Sequence, residues 1–151
     1  MKRKPLFIPV VLGTALSVVS TLSEANSKLI HVTAQVGQQA YIGDPANPQL
    51  GDRIISNVDL LNDNGSDVGT GAGVCTIFSV PPLDTLVECL GTAVFPKGQI
   101  IFGGVAPLPT VGAKAEFGIL GGTGAFSKAR GELVQVVTAP DVIDSTFNLS
   151  Q

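Results

Sequence analysis

Val74-Cys75-Thr76-Ile77-Phe78-Ser79-Val80 and Leu86-Val87-Glu88-Cys89-Leu90-Gly91-Thr92-Ala93-Val94-Phe95 flank a short segment that begins Pro81-Pro82-Leu83. Both runs are rich in β-branched and apolar residues, and the prolines between them cannot join a strand ladder. This pattern predicts a β-hairpin. Residue 82 is the midpoint of Cys75 and Cys89, so a hairpin centred there makes the two cysteines cross-strand neighbours. Opposed residues in a sheet have Cβ atoms about 4.5–5.5 Å apart, near disulfide distance after a small adjustment. One Cys75–Cys89 bridge is the expected state in an oxidising compartment; two free thiols, one of them in a pocket, are the alternative.

The two strands of this hairpin carry apolar residues on both faces. One face holds Cys75, Ile77, Val87, Ala93 and Phe95; the other holds Val74, Phe78, Leu86, Leu90 and Val94. An antiparallel sheet with a single core keeps one face wet. Two apolar faces predict an interior lumen and an outer surface covered by another subunit, hence a homo-oligomer, dimer or trimer.

The same punctuation recurs along the chain. Leu29–Val36, Asp52–Leu61, Gln99–Val105, Ala113–Leu120, Arg130–Thr138 and Val142–Leu149 read as further strands, giving eight in all. Asn64-Gly65 is a hairpin signal, and Gly43 to Pro48 and Pro107 to Val111 read as loops. No helical stripe persists, although Phe126–Ala129 could make one short turn. The fold class is therefore all-β: a single eight-stranded antiparallel up-and-down β-barrel, with a sandwich as the other arrangement of such strands. Eight strands enclose room for one small ligand.

The chain of 151 residues, 44% hydrophobic and 14% charged, fits one folded domain rather than a disordered segment. Its start has the layout of a secretory signal peptide: basic Lys2-Arg3-Lys4, an uncharged stretch from Pro5 to Val19, and small residues in Ser23-Glu24-Ala25. Roughly 15 apolar residues are too few to span a bilayer as a helix. The expected organisation is a leader over residues 1–25 and a barrel domain over residues 26–151, with a secreted, extracellular or periplasmic destination. Removing Lys2, Arg3, Lys4 and Glu24 from nine basic and twelve acidic side chains leaves six and eleven, a net charge of −5. An acidic protein without a basic patch has no electrostatic footprint for nucleic acid, and none for an anionic membrane after cleavage.

Reactive constellations are sparse. Gly69-Thr70-Gly71-Ala72-Gly73 and Gly121-Gly122-Thr123-Gly124 look like phosphate cradles, but neither has the lysine of a P-loop or opens a helix. Tight turns and close strand approach explain them better. His31 is the single histidine, so no histidine-rich metal centre is expected; in an apolar strand it reads as a hydrogen-bonded structural residue. There is no Gly-x-Ser-x-Gly elbow, and no metal or other cofactor is called for.

Gly51-Asp52, Asn57, Val68-Gly69, Ala72-Gly73-Val74-Cys75, Phe95-Pro96-Lys97-Gly98-Gln99-Ile100, Ile119 to Phe126 and Ala129-Arg130-Gly131 occur in an order that resembles the allene oxide cyclase and dirigent barrel family. Phe147-x-Leu149 is similar to that family's closing strand. The resemblance runs from about residue 50 to the C-terminus. It implies an antiparallel eight-stranded barrel, oligomeric, with an apolar cavity that guides ring closure or coupling of reactive intermediates. Asn57 resembles, within a one-residue gap, the family's water-holding asparagine, and Cys75 matches a pocket cysteine. The family's first-strand glutamate has no counterpart in Leu29–Gln35.

The candidate catalytic residues are thus Asn57, Asp52 and Glu88. Glu88 would have a raised pKa if it faced a cavity; the plainer reading leaves it exposed or paired with Lys97 or Lys114. Arg130 and Glu132 share strand parity and read as a rim pair. Candidate ligand-lining residues are Tyr41, Cys75, Ile77, Phe95 and Phe117. Two functions fit: a secreted cyclase or dirigent-like isomerase that shapes an apolar small molecule, and a non-catalytic ligand-binding or structural barrel.

Overall fold

A computed structural model describes residues 27–150; the expected leader, residues 1–25, lies outside the described residues. The strands are β1 (Ser27–Ile42), β2 (Arg53–Leu61), β3 (Asp67–Ser79), β4 (Leu86–Phe95), β5 (Gly98–Pro107), β6 (Lys114–Gly122), β7 (Arg130–Ala139) and β8 (Val142–Ser150). One 3-10 turn, Gly124–Phe126, precedes β7. Each strand pairs antiparallel with its successor, and β8 returns to β1 to close an eight-stranded barrel. The expected fold is the observed one.

Two strands are longer than the sequence pattern predicts. β1 continues to Ile42, and β3 starts at Asp67, so Gly69-Thr70-Gly71-Ala72-Gly73 forms no turn but lies flat in the ladder between β2 and β4. Small residues are needed there because the neighbouring strands approach closely. A bulge in β1 between Val36 and Gln38 shifts the inward set. Val32, Ala34 and Val36 face the core before it, and Gln39 and Tyr41 after it, because Gln39 opposes Ser56 and Tyr41 opposes Ile54.

The inward residues of the lower half pack solid. Ile100, Leu133, Phe147 and Leu149 are almost wholly buried. Phe95 lies 5.7 Å from Phe126 and 6.0 Å from Phe147, centroid to centroid. The Gly-Gly-Thr-Gly motif closes this end. Thr123 bonds Gln99 twice: its N–H donates to the Gln99 carbonyl, and its hydroxyl accepts from the Gln99 N–H. Gly124 takes φ +57°, and a Cβ there would sit 2.4 Å from the Lys97 carbonyl oxygen. This position therefore needs glycine, for its backbone and for its missing side chain.

Cys75 and Cys89 oppose each other in the β3–β4 register and are bonded. Outside the wall, His31 on β1 has a carboxylate oxygen at each ring nitrogen: Asp63 at 2.6 Å from Nδ1 and Asp144 at 3.1 Å from Nε2. Two acceptors call for two N–H donors, which is the imidazolium form. The Asp63 hydrogen bond, and more weakly the Asp144 charge, raise the His31 pKa above its ordinary 6.5 against the opposing effect of desolvation. The rim pair expected of Arg130 and Glu132 does not form. Arg130 donates to the Ala129 carbonyl, and Glu132 accepts from Asn148.

The bridge closes a loop with a sequence separation of 14, so a Cys75→Ala/Cys89→Ala variant should lose about 3 kcal/mol of unfolding free energy in urea titrations. Reductant should then destabilise the native chain and leave the variant unchanged. For His31, a raised folded pKa gives stability that is complete below the unfolded value and is lost as pH rises through the folded value. Urea midpoints should therefore fall from pH 6 to pH 8.5 in the native chain, and His31→Gln should reduce that fall; equal falls would exclude the imidazolium tie.

Candidate functional site

Above the aromatic floor the barrel is hollow. A cavity of about 150 Å³ is lined by small and apolar side chains, among them Ala34, Val58, Val87, Ala93, Ala106 and Ala115. It reaches the end where the β1–β2, β3–β4, β5–β6 and β7–β8 connections lie; Pro107, Pro109, Ala113 and Val137 line that approach. At the other end Phe102, Phe117 and Phe147 block it, with Phe102 at 5.8 Å from Phe117 and 6.3 Å from Phe147. These rings fill that end of the barrel and confine the hollow above them. Gly91 allows this packing: a Cβ on it would lie 2.4 Å from the tip of the Phe102 ring.

Four polar side chains share the inward face around the cavity: Gln39 and Ser56, opposed on β1 and β2, and Gln135 and Ser145, opposed on β7 and β8. The Gln135 amide donates to the Ser145 hydroxyl oxygen at 3.1 Å. No ionisable side chain lines the cavity, and among the described residues no cluster could hold a metal ion. A carboxylate or ammonium in such surroundings would pay heavily for desolvation. The chemistry this lining supports is confinement plus hydrogen bonding to a neutral molecule.

The residues singled out in the sequence fall in different places. Cys75 and Phe117 line the cavity. Phe95 belongs to the aromatic floor. Ile77 is buried where its backbone pairs with Gly51 and Asp52 of the β1–β2 loop. Tyr41 and Asp52 meet near the mouth, the phenol donating to Asp52 Oδ2 at 3.1 Å. Desolvation first, and the Asp52 bond second, raise the Tyr41 pKa, so it is a neutral O–H donor at pH 7. Asn57 lies outside the wall, because Ser56 and Val58 hold the inward positions of β2. It clasps the β1 bulge, accepting from the Gln38 N–H at 2.8 Å and donating to its side chain at 3.3 Å. Glu88 is also outside and exposed, being adjacent to inward Cys89. Lys114 pairs instead with Glu116 at 2.7 Å. Asn57, Asp52 and Glu88 are thus not brought together. The polar residues missed are Gln39, Ser56, Gln135 and Ser145, the last two each standing in an inward row that is otherwise apolar.

Comparisons with known proteins agree with this geometry. Among solved structures, a pyocyanin demethylase superposes with a TM-score of 0.70 at 26% identity, covering 80% of this chain and 99% of that one. AbnU, an exo-specific intermolecular Diels-Alderase, gives 0.68 at 16% identity, covering 83% and 98%. The Diels-Alderase AbmU from Streptomyces koyangensis gives 0.66 at 18% identity, covering 85% and 70%. No curated protein matches the chain. The allene oxide cyclase barrel-like domain matches residues 29–149, which is nearly the whole described barrel, and the chain belongs to that family.

Proposed function

We propose that this barrel takes a neutral, apolar small molecule into its lumen and directs ring closure or stereoselective coupling by conformational control, without metal, cofactor or covalent nucleophile. The observation that carries the reading is the apolar cavity with a blind aromatic end and a few inward hydrogen-bonding groups. A flexible substrate held there loses its unproductive conformers before reaction. Preorganisation of this kind can contribute several kcal/mol with no reactive side chain. The folds of the two Diels-Alderases are consistent with this reading.

The chain carries the features of an exported protein, and its disulfide fits that destination. On the outer wall Leu90 and Leu120 are 53% and 58% exposed. Both reach over Gly103, where a Cβ would lie 3.4 Å and 3.3 Å from their methyl groups. Ile55 and Val105 extend this apolar surface, and we assign it to contact with a second copy of the chain.

Gly91→Leu should push the Phe102 ring into the hollow and occlude it. Incubated with linear diene–enone substrates of graded length, the native chain should accelerate ring closure and give an enantiomeric excess by chiral chromatography. Gly91→Leu, with its β circular dichroism retained, should give the uncatalysed rate and a racemate. Binding without acceleration would favour a carrier over a cyclase. For self-association, Leu90→Glu/Leu120→Glu should lower the mass in sedimentation analysis to that of a single chain, whereas a native chain that already sediments as a monomer would refute the contact.

A further inference from the structure

Ser145 is the one buried polar residue among those described, with 1% of its surface exposed. It stands one inward position from Phe147 on β8 and opposes Gln135 on β7. Burying a hydroxyl in an apolar wall is costly unless its hydrogen bonds are made. The wall supplies one, from the Gln135 amide at 3.1 Å.

With the amide donating, Ser145 keeps its O–H proton and Gln135 keeps one N–H proton. With the amide turned the other way, Ser145 donates and Gln135 keeps both N–H protons. In the arrangement the structure shows, two donors remain side by side, one on each residue, whereas in the turned one both stay on the Gln135 nitrogen; no described residue accepts from them. They border a cavity whose lining holds no ion. Two adjacent donors match the two lone pairs of a single carbonyl oxygen. A charged carboxylate would find no counter-ion there.

We propose that Gln135 and Ser145 form an oxygen-anchoring site and that the ligand is a small, neutral, ring-bearing carbonyl compound seated carbonyl-first. This rests on the reading of the lumen as a ligand site and names what that site selects. The size of the cavity sets the ring. About 150 Å³ is comparable to the space that holds a benzene molecule in an engineered apolar core. The ring packs against Phe102 and Phe117, and any longer substituent extends toward the mouth.

Acetophenone and ethylbenzene, which differ in the carbonyl, are suitable probes. Calorimetric titration of the full chain should show that Ser145→Ala weakens acetophenone roughly 3- to 10-fold, the scale of one hydrogen bond, and leaves ethylbenzene nearly unchanged. Gln135→Met, of similar volume, should act in the same direction. The infrared carbonyl stretch of bound, ¹³C-labelled acetophenone should lie below its value in hexane for the native chain and return toward it in Ser145→Ala. A native-chain stretch equal to that in hexane overturns the anchor, as does equal weakening of the two probes. Binding of ethylbenzene would then still uphold the lumen as a ligand site. Failure of both probes to bind the native chain overturns the lumen reading and the anchor together. The infrared shift is read on the native chain, so it decides the matter even if Ser145→Ala does not fold.

Discussion

The pairing of β8 with β1 is the constraint on which the other features rest. Ser27–Gln35 and Val142–Ser150 lie at opposite ends of the described chain, yet they form one continuous ladder. Without it, both strands would be open edges inviting other chains. With it, every inward side chain faces another across a closed ring, and the lumen exists at all. Such a seam joins residues distant in sequence, so forming it carries a large loop-closure entropy. The staple at Cys75–Cys89 acts elsewhere, inside a local hairpin, and leaves that long-range search to the hydrophobic pattern alone.

The interior divides into two unequal jobs. Phenylalanine rings from β4, β5, β6, β8 and the 3-10 turn fill one half and give the domain its core. Alanine, glycine and valine line the other half and leave it empty. The boundary depends on a size match between Gly91 and Phe102. A wall without ionisable side chains offers shape and hydrogen bonds rather than strong acid–base chemistry. That agrees with the lack of any nucleophile–base pair in the sequence, and the Tyr41–Asp52 hydrogen bond stands at the rim rather than in the lumen.

Most of the architecture could be read from the sequence because alternation and turn residues are local signals. The β3–β4 hairpin, its disulfide and the count of eight strands all follow from them. Glycines in β3 concealed the true start of that strand, since glycine marks turns and crowded ladders alike. The site was harder to read. In β2, Ile54 and Ile55 are both apolar, so periodicity leaves the inward face undecided, and Asn57 falls on the outer one. The β1 bulge, a single extra residue, moves Gln39 and Tyr41 inward with no sequence signal beyond Gly37. Glu88, exposed in the plainer reading of the sequence, does lie outside, since it neighbours an inward cysteine. Gln135 and Ser145 each break an apolar inward row, but they become a pair only when β7 meets β8.

A chamber plugged by phenylalanine has a single doorway, so arrival and departure use the same path. Whatever leaves must back out before a successor can come in, and no flow-through is available. If the occupant is transformed inside, turnover depends on the new ring being held less tightly than the bent precursor at its point of closure. If it is merely stored, the opposite preference serves, and a long residence time becomes the useful property of the same architecture.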